Sequence, residues 1–517
     1  MRARLPWLSA VSGFCLAACV SGPTAREQIQ DPARRPNVVV VLVDDLRWDE
    51  LGAAGHPFVE TPHIDRLARE GAMFANAFAT TPLCSPSRAS FLTGQYAHAN
   101  GIVDNTGRSE TSHRMATFPQ ALQRGGYETA FIGKWHMGND DTPRPGFSRW
   151  VGMRGQGEAV DPLLNVDGDR VPTQGYVTDI LVDYSVDFMS EAAGHDRPFF
   201  LFLAHKALHP NIIQRDDGSS QQIEGQPTGF VAAERHRGRY ADREVPRRPN
   251  AFVAPEGKPA LLRPWDDLPP LGPDTGTSDD TVRQRLEMLL AVDDGVGRMV
   301  EGLAEIGQLD NTFFVFTSDH GYFYAEHGLG GERRLAYEET ARIPMIVRYP
   351  TLVTAGSRPT DLVLSIDLAP TVLDLAGAAS GSPLHGRSLV PLFRGETADW
   401  RRSILIEYFS DTVFPRIRSM GYLAVRTERH KFIQYVELQE MDELYDLASD
   451  PFEMHNVIDL PESAEVVAAM RDELQRLLDE TDFALRRAES PQVDAGEARR
   501  QAGPSSEPPA TSRLSSP

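Results

Sequence analysis

Hydrophobic positions along the chain alternate between two rhythms. The stretch Asn37 to Val43 is, after its first residue, a continuous apolar run of mostly β-branched residues, the pattern of a central parallel strand buried on both faces, and it stops abruptly at Asp44-Asp45. Thr61 and Pro62 then carry the N-cap and first-turn signals of a helix, with Ile64, Leu67 and Ala68 on one face and Gly71 as the stop. The next strand, 127–132, runs into Gly133-Lys134-Trp135-His136. Val177, Ile180, Leu181, Tyr184 and Phe188 mark an amphipathic helix, and 199–203 is another buried strand, followed by His205, Lys206 and His209. From Asn211 to about Asp280 the periodicity fades into Pro, Gly and charged residues, which predicts long loops inserted near a site rather than a separate folded unit. It resumes with a helix through Leu286, Leu289 and Leu290 and a strand over 312–317 that ends in Ser318-Asp319-His320-Gly321.

This alternation predicts an α/β fold, a large mixed, mostly parallel sheet sandwiched by helices, over residues 36–378. In open sheets of this kind ligands lie beyond the carboxyl ends of the strands, so the polar clusters after four strands converge. Past a helix at 366–376 the pattern shifts to shorter strands (404–408, 422–425, 431–435) and a helix around 466–478. These predict a smaller C-terminal α+β domain with an antiparallel sheet, 379–488. Pro, Ser, Ala and Arg without periodicity predict a disordered tail, 489–517.

The chain has 517 residues, enough for two domains. Arg2 and Arg4 precede a short apolar run reaching Ala18, too brief to span a bilayer, which predicts an export signal over 1–18. Leu16-Ala17-Ala18-Cys19 resembles a bacterial lipobox, with Cys19 as the lipidated first residue of the mature protein and 19–35 as a polar spacer; a plain cleaved signal peptide is the alternative. Either way the expected location is periplasmic or envelope-anchored, and the membrane is met only through that lipid. Of three cysteines, Cys15 and Cys19 fall in the leader, so Cys84 stands alone in the body and no disulfide forms within it. A net charge of -21 argues against nucleic acid as a partner.

Cys84-Ser85-Pro86-Ser87-Arg88-Ala89-Ser90-Phe91-Leu92-Thr93-Gly94 reads as a helix opened by a cysteine. Pro86 is tolerated only in a first turn and Gly94 suits the C-terminal end. Cys84 therefore lies at or near the N-cap, where free N–H groups and the helix dipole favour an oxyanion that Arg88 could clamp. Asp44, Asp45 and Asp319 are hard oxygen ligands whose mutual repulsion calls for a divalent cation, although each could alone cap a turn. Arg235, Arg237, Arg239, Arg243, Arg247 and Arg248 make a basic stretch in the inserted loops, either solvated or touching anionic groups of a substrate.

The segment 84–94 resembles the sulfatase signature C-x-P-S-R-x-x-x-L-T-G at every fixed position. That resemblance, to type I sulfatases of the alkaline-phosphatase-like superfamily, implies that Cys84 is oxidised by a formylglycine-generating maturase to formylglycine, whose hydrated aldehyde attacks sulfur. It implies calcium held by Asp44, Asp45, Asp319, His320 and residue 84, with His320, a softer ligand, where many members have Asn. Gly133-Lys134-Trp135-His136 and Ala204-His205-Lys206-Ala207-Leu208-His209 resemble two further family motifs. By that resemblance Arg88 and Lys134 stabilise the charged nucleophile, His136 accepts a proton as sulfate leaves, His209 protonates the leaving alcohol, and Lys206 contacts substrate. Where the family often has a sulfate-binding lysine, counting back from Tyr337-Glu338-Glu339 gives Arg333, which binds sulfate but keeps its proton. Several segments resemble bacterial N-acetylglucosamine-6-sulfatases, so the expected substrate is a sulfated saccharide such as N-acetylglucosamine 6-sulfate. Two alternatives stand beside it: a phosphonate monoester hydrolase or phosphodiesterase of the same superfamily, and a non-catalytic protein that binds sulfated glycans.

Overall fold

The structure, a computed structural model, describes residues 35–265, 267–409 and 413–483. The leader with Cys15 and Cys19 and the tail 489–517 lie outside the described residues. Four parallel strands carry the site at their ends: β1 (Asn37–Val43), β2 (Glu128–Lys134), β3 (Phe199–Ala204) and β4 (Thr312–Ser318). They stand side by side in the order β4, β1, β3, β2 within a nine-stranded mixed sheet, whose outermost strands on both sides pair antiparallel. Register explains the convergence predicted from sequence. Val43 sits opposite Ser318, Leu42 opposite Ala204, and Ala204 opposite Gly133, so the segments that follow these strands emerge along one edge.

β1 shows no two-residue alternation because neither of its faces meets water. Val39, Val41 and Val43 pack in one core with helices α1 (Pro62–Glu70), α3 (Val177–Ala193) and α4 (Asp279–Glu305). Val38, Val40 and Leu42 pack in the other with α2 (Cys84–Thr93) and the helices 118–124 and 368–376. Thr61 occupies the N-cap position of α1 as expected, but its hydroxyl turns to Asp65; the helix end is capped from outside by Asp293 of α4, which accepts from the N–H groups of His63 and Ile64 at 3.1 and 2.8 Å.

The C-terminal sheet is antiparallel, in the order Ser403–Tyr408, Tyr422–Thr427, His430–Tyr435 and Glu443–Asp446, and is covered by α5 (Ala464–Glu480) through Val467, Met470, Leu474 and Leu477. Its core takes in Phe78, Leu83 and Tyr337, so this sheet packs directly behind the start of α2. Leu389, Val390 and Leu392, ahead of the first antiparallel strand, pack with the large sheet instead. The inserted stretch after Asn211 is largely irregular, except for a small hairpin, Ile212–Gln214 paired with Ser220–Gln222.

Candidate active site

α2 delivers Cys84 to the end of β1. Every residue of this helix is buried, Cys84 is its first residue, and Gly94 ends it with φ +67°. Three bonds from the first turn set its position: Ser85 Oγ donates to the carbonyl of His136, Ser87 Oγ donates to that of Asp319 at 2.6 Å, and the Ser85 N–H goes to Asn105 Oδ1 at 3.0 Å. These contacts correct the expectation that the helix end itself offers a cluster of free donors. The Ser85 N–H is taken, Pro86 has none, and the Ser87 N–H is bonded to Leu83 O. Positive charge for an oxyanion comes from side chains instead.

The thiol of Cys84 lies 3.6 Å from Asp44 Oδ1 and 3.3 Å from His320 Nε2. Ligand atoms of Asp44, Cys84, Asp319 and His320 all fall within 4.8 Å of one another, fully buried. Asp45 stands at the rim, its Oδ1 3.5 Å from His320 Nε2. The donor set suits a cation on two counts. Both Asp45 oxygens are buried without a hydrogen-bond partner, although Arg333 Nε approaches Oδ1 to 3.1 Å. His320 donates from Nδ1 to the carbonyl of Gly321 at 2.9 Å, which leaves the Nε2 lone pair aimed into the cluster.

Three cations, Lys134, Arg88 and Arg333, balance the carboxylates. Lys134 Nζ touches Asp44 Oδ2; Arg88 donates to Asp319 Oδ2 at 3.0 Å and to the Lys134 carbonyl at 2.5 Å. Burial alone would raise the Asp44 carboxyl, but Lys134 and then Arg88 outweigh it and hold it well below the usual range. Asp319 is pushed upward by burial and by Asp44. Burial also pushes the Cys84 thiol upward against the pull of Lys134, which disfavours a thiolate nucleophile.

His136 and His209 are both buried, and burial followed by Lys134 draws each well below the ordinary imidazole range, so both are neutral. His209 Nδ1 donates to the carbonyl of Pro210 at 2.9 Å, and its Nε2 accepts from Arg333 Nη2 at 3.0 Å. Lys206 donates to that same carbonyl at 3.0 Å, and burial lowers it to about 7. Burial lowers His205 to about 3, and its Nδ1 is buried and unpaired. The basic stretch is mostly engaged within the chain: Arg235 with Asp179 and Asp294, Arg239 with Glu60, Arg247 with Asp279, and Arg248 with Asp49 and Glu339.

Three site residues carry no signal in the sequence. Arg285 of α4, wholly buried, donates to the carbonyls of Asp45 at 2.6 Å and Leu208 at 3.1 Å and stacks on Tyr322, tying the metal-facing loop to the one bearing His209. Asn105 caps α2, and Gln214 meets His136. Each is a polar residue, in a helix, a loop and a hairpin strand respectively, whose partner is far away in the sequence, so only the fold reveals it. Gly133, by contrast, is explained by its neighbour: with φ +116°, any Cβ there would sit 2.0 Å from the Ala204 carbonyl of the adjacent strand.

With this geometry in place, the decisive likeness is a match of residues 36–378 to the family model named Sulfatase. The chain belongs to the sulfatase family. A second model, the C-terminal region of N-sulphoglucosamine sulphohydrolase, matches 325–480 of the sulfatase. It is 31% identical to an N-acetylglucosamine-6-O-sulfatase of Bacteroides thetaiotaomicron, over 91% of this chain and 89% of that protein. To the human N-acetylglucosamine-6-sulfatase it is 29% identical, over 82% and 81%. Among solved structures it resembles BT4656 in complex with its substrate D-glucosamine-2-N,6-O-disulfate, with a TM-score of 0.75 and 30% identity over 87% of this chain and 98% of that one. The sulfatase is thus an enzyme of the alkaline-phosphatase-like superfamily, and the fold expected from its strand pattern is the one it has.

Proposed function

We propose that this sulfatase removes the 6-sulfate from N-acetylglucosamine-type residues of a sulfated glycan, releasing inorganic sulfate and the free alcohol. The observation that carries the reading is the meeting of Cys84 with Asp44, Asp319 and His320 inside one buried cluster beside the unpaired Asp45 carboxylate. Likeness to N-acetylglucosamine-6-sulfatases and to a glucosamine-disulfate complex supports the substrate class. Converted to formylglycine, position 84 would supply the oxygen nucleophile, and Asp44, Asp45, Asp319 and His320 would hold a calcium ion that supplies positive charge to the site.

The chain's own residues do the rest. Arg88 and Lys134, fixed on Asp319 and Asp44, hold negative charge on the nucleophile and the sulfuryl oxygens without reorganising. His136, neutral and with a free ring nitrogen, takes the proton from residue 84 when sulfate is expelled. Arg333 and Lys206 bind the sulfate. Because a guanidinium keeps its proton, the leaving oxygen is protonated from His209: when Arg333 turns to the bound anion, His209 Nε2 is freed, takes up a proton from water beside the sulfate's negative charge, and passes it to the leaving oxygen. Export as a lipoprotein through Cys19 places this activity at the cell envelope, where sulfated glycans are met.

The test is a sulfate-release assay on protein co-expressed with a formylglycine-generating maturase, with conversion at residue 84 followed by peptide mass spectrometry. N-acetylglucosamine 6-sulfate should be hydrolysed and Cys84→Ala should be inactive. Faster turnover of an aryl phosphonate monoester than of any sulfate ester would overturn the reading in favour of the phosphonate hydrolase.

A further inference from the structure

The hairpin 212–222, in the region whose sequence reads as loops, brings one amide onto the ring of His136. Gln214 Oε1 lies 2.5 Å from His136 Nε2, and Gln156 Nε2 donates to the same oxygen at 3.0 Å. Both glutamines are buried. The amide can be oriented from its other end: Gln214 Nε2 donates to the carbonyl of Gly218 at 2.9 Å. Turned the other way, its oxygen would face the Gly218 carbonyl, two acceptors in contact with no proton between them. Gln214 therefore presents an acceptor to His136, and a ring nitrogen that meets an acceptor carries the hydrogen. The hairpin holding this amide is anchored at its turn, where Asp216 accepts from the Gly107 N–H at its carbonyl at 2.8 Å and from Asn139 Nδ2 at Oδ1 at 2.6 Å. The remaining nitrogen, His136 Nδ1, is buried without a partner. Its carbonyl is held by Ser85, next to Cys84, and the backbone at His136 has φ +59°, a left-handed conformation uncommon outside glycine, which the surrounding bonds must enforce.

We propose that Gln214 is a positioning residue of this active site: it fixes His136 as the Nε2–H tautomer, so that Nδ1 is the atom that receives the proton from residue 84. The proposal rests on the sulfatase reading for the direction of that proton, but not for the tautomer. Burial and the nearby Lys134, which keep the imidazole neutral, agree with it. The inserted hairpin then has a defined place in the reaction, as the outer support of a base whose inner support is α2.

Two measurements test this. In the full chain with Cys84 unconverted and histidines labelled with 15N, long-range nitrogen–proton spectra, assigned with His136→Asn, report the tautomer directly. Wild type is expected to show a single Nε2–H form, and Gln214→Leu a shift to Nδ1–H or a mixture; an Nδ1–H wild type, or an unchanged Gln214→Leu spectrum, overturns the proposal. In the converted enzyme, Gln214→Leu should lower kcat at least tenfold with KM within twofold, and Gln214→Glu, which keeps an acceptor oxygen, should recover most of that loss. Equal losses in the two variants, or a loss confined to KM, overturn it as well. A wild type that releases no sulfate would sink the functional reading while leaving the tautomer measurement to decide the role of Gln214.

Discussion

Lys206 shows how burial sets chemistry at a single residue. Removal from water outweighs its neighbouring carboxylates and lowers the ammonium to about 7, so the side chain is cationic below neutrality and loses its charge as pH rises. A sulfate-binding cation that disappears in this range should give kcat/KM a falling limb centred near pH 7. Lys206→Arg, which stays charged, should remove that limb from the pH–rate profile; a limb that persists unchanged would separate Lys206 from sulfate binding. This residue was legible in the sequence because it lies in a motif directly after a strand. Gln214, Asn105 and Arg285 were not, because a glutamine in a loop or an arginine in a helix reads as solvent-facing until the fold supplies its partner.

At the scale of elements, α1 and α4 depend on one carboxylate. Asp293 caps α1 from across the interface, yet burial raises it to about 6, above its value in an unfolded chain. The folded state therefore binds the proton more tightly, and the stability this group contributes is complete below about pH 4 and lost as pH rises through 6. Asp293→Asn keeps an acceptor for the His63 and Ile64 N–H groups while removing the charge. Its melting temperature should exceed that of wild type above pH 7 and converge with it near pH 4, a difference worth up to about 3 kcal/mol. Asp293→Ala should be less stable than Asp293→Asn at every pH by about 1 kcal/mol, through loss of the cap. The helix itself was readable from Pro62, its apolar face and Gly71. The identity of its cap was not, since Thr61 is the expected residue and Asp293 lies 230 positions away from His63.

Across the whole molecule, the antiparallel sheet is joined to the catalytic half by buried charge as well as apolar contact. Lys431, fully buried, reaches Glu338 at 3.0 Å and Glu453 at 2.8 Å, and Arg426 approaches Glu338 at 3.4 Å. Burial raises Glu453 to about 7 even with Lys431 opposing. Lys431→Met would strand Glu453 and leave Glu338 with Arg426 but without its lysine, so it should destabilise the protein by about 3–5 kcal/mol. The loss should be largest above pH 7, where Glu453 is ionised in the folded state, and smaller below it, as read by thermal unfolding at pH 6 and pH 8. An equal loss at both values would show that Glu453 does not titrate in this network. Because Leu83, immediately ahead of Cys84, belongs to the same core as the antiparallel sheet, sulfate release should fall along with stability in this variant.

The sequence by itself determined the sheet, the order of its main elements and the residue types gathered at its edge, because hydrophobic periodicity and turn signals are local and the 84–94 segment is distinctive as a string. Only the tertiary structure decided which atoms meet: that strands β1 to β4 end in register, that side chains rather than free helix N–H groups carry the positive charge, and that Asn105, Arg285 and Gln214 complete the site. The reason is physical. A strand or helix reveals itself through neighbours a few residues away, whereas a buried polar atom is defined by whichever distant group the fold brings within hydrogen-bond reach.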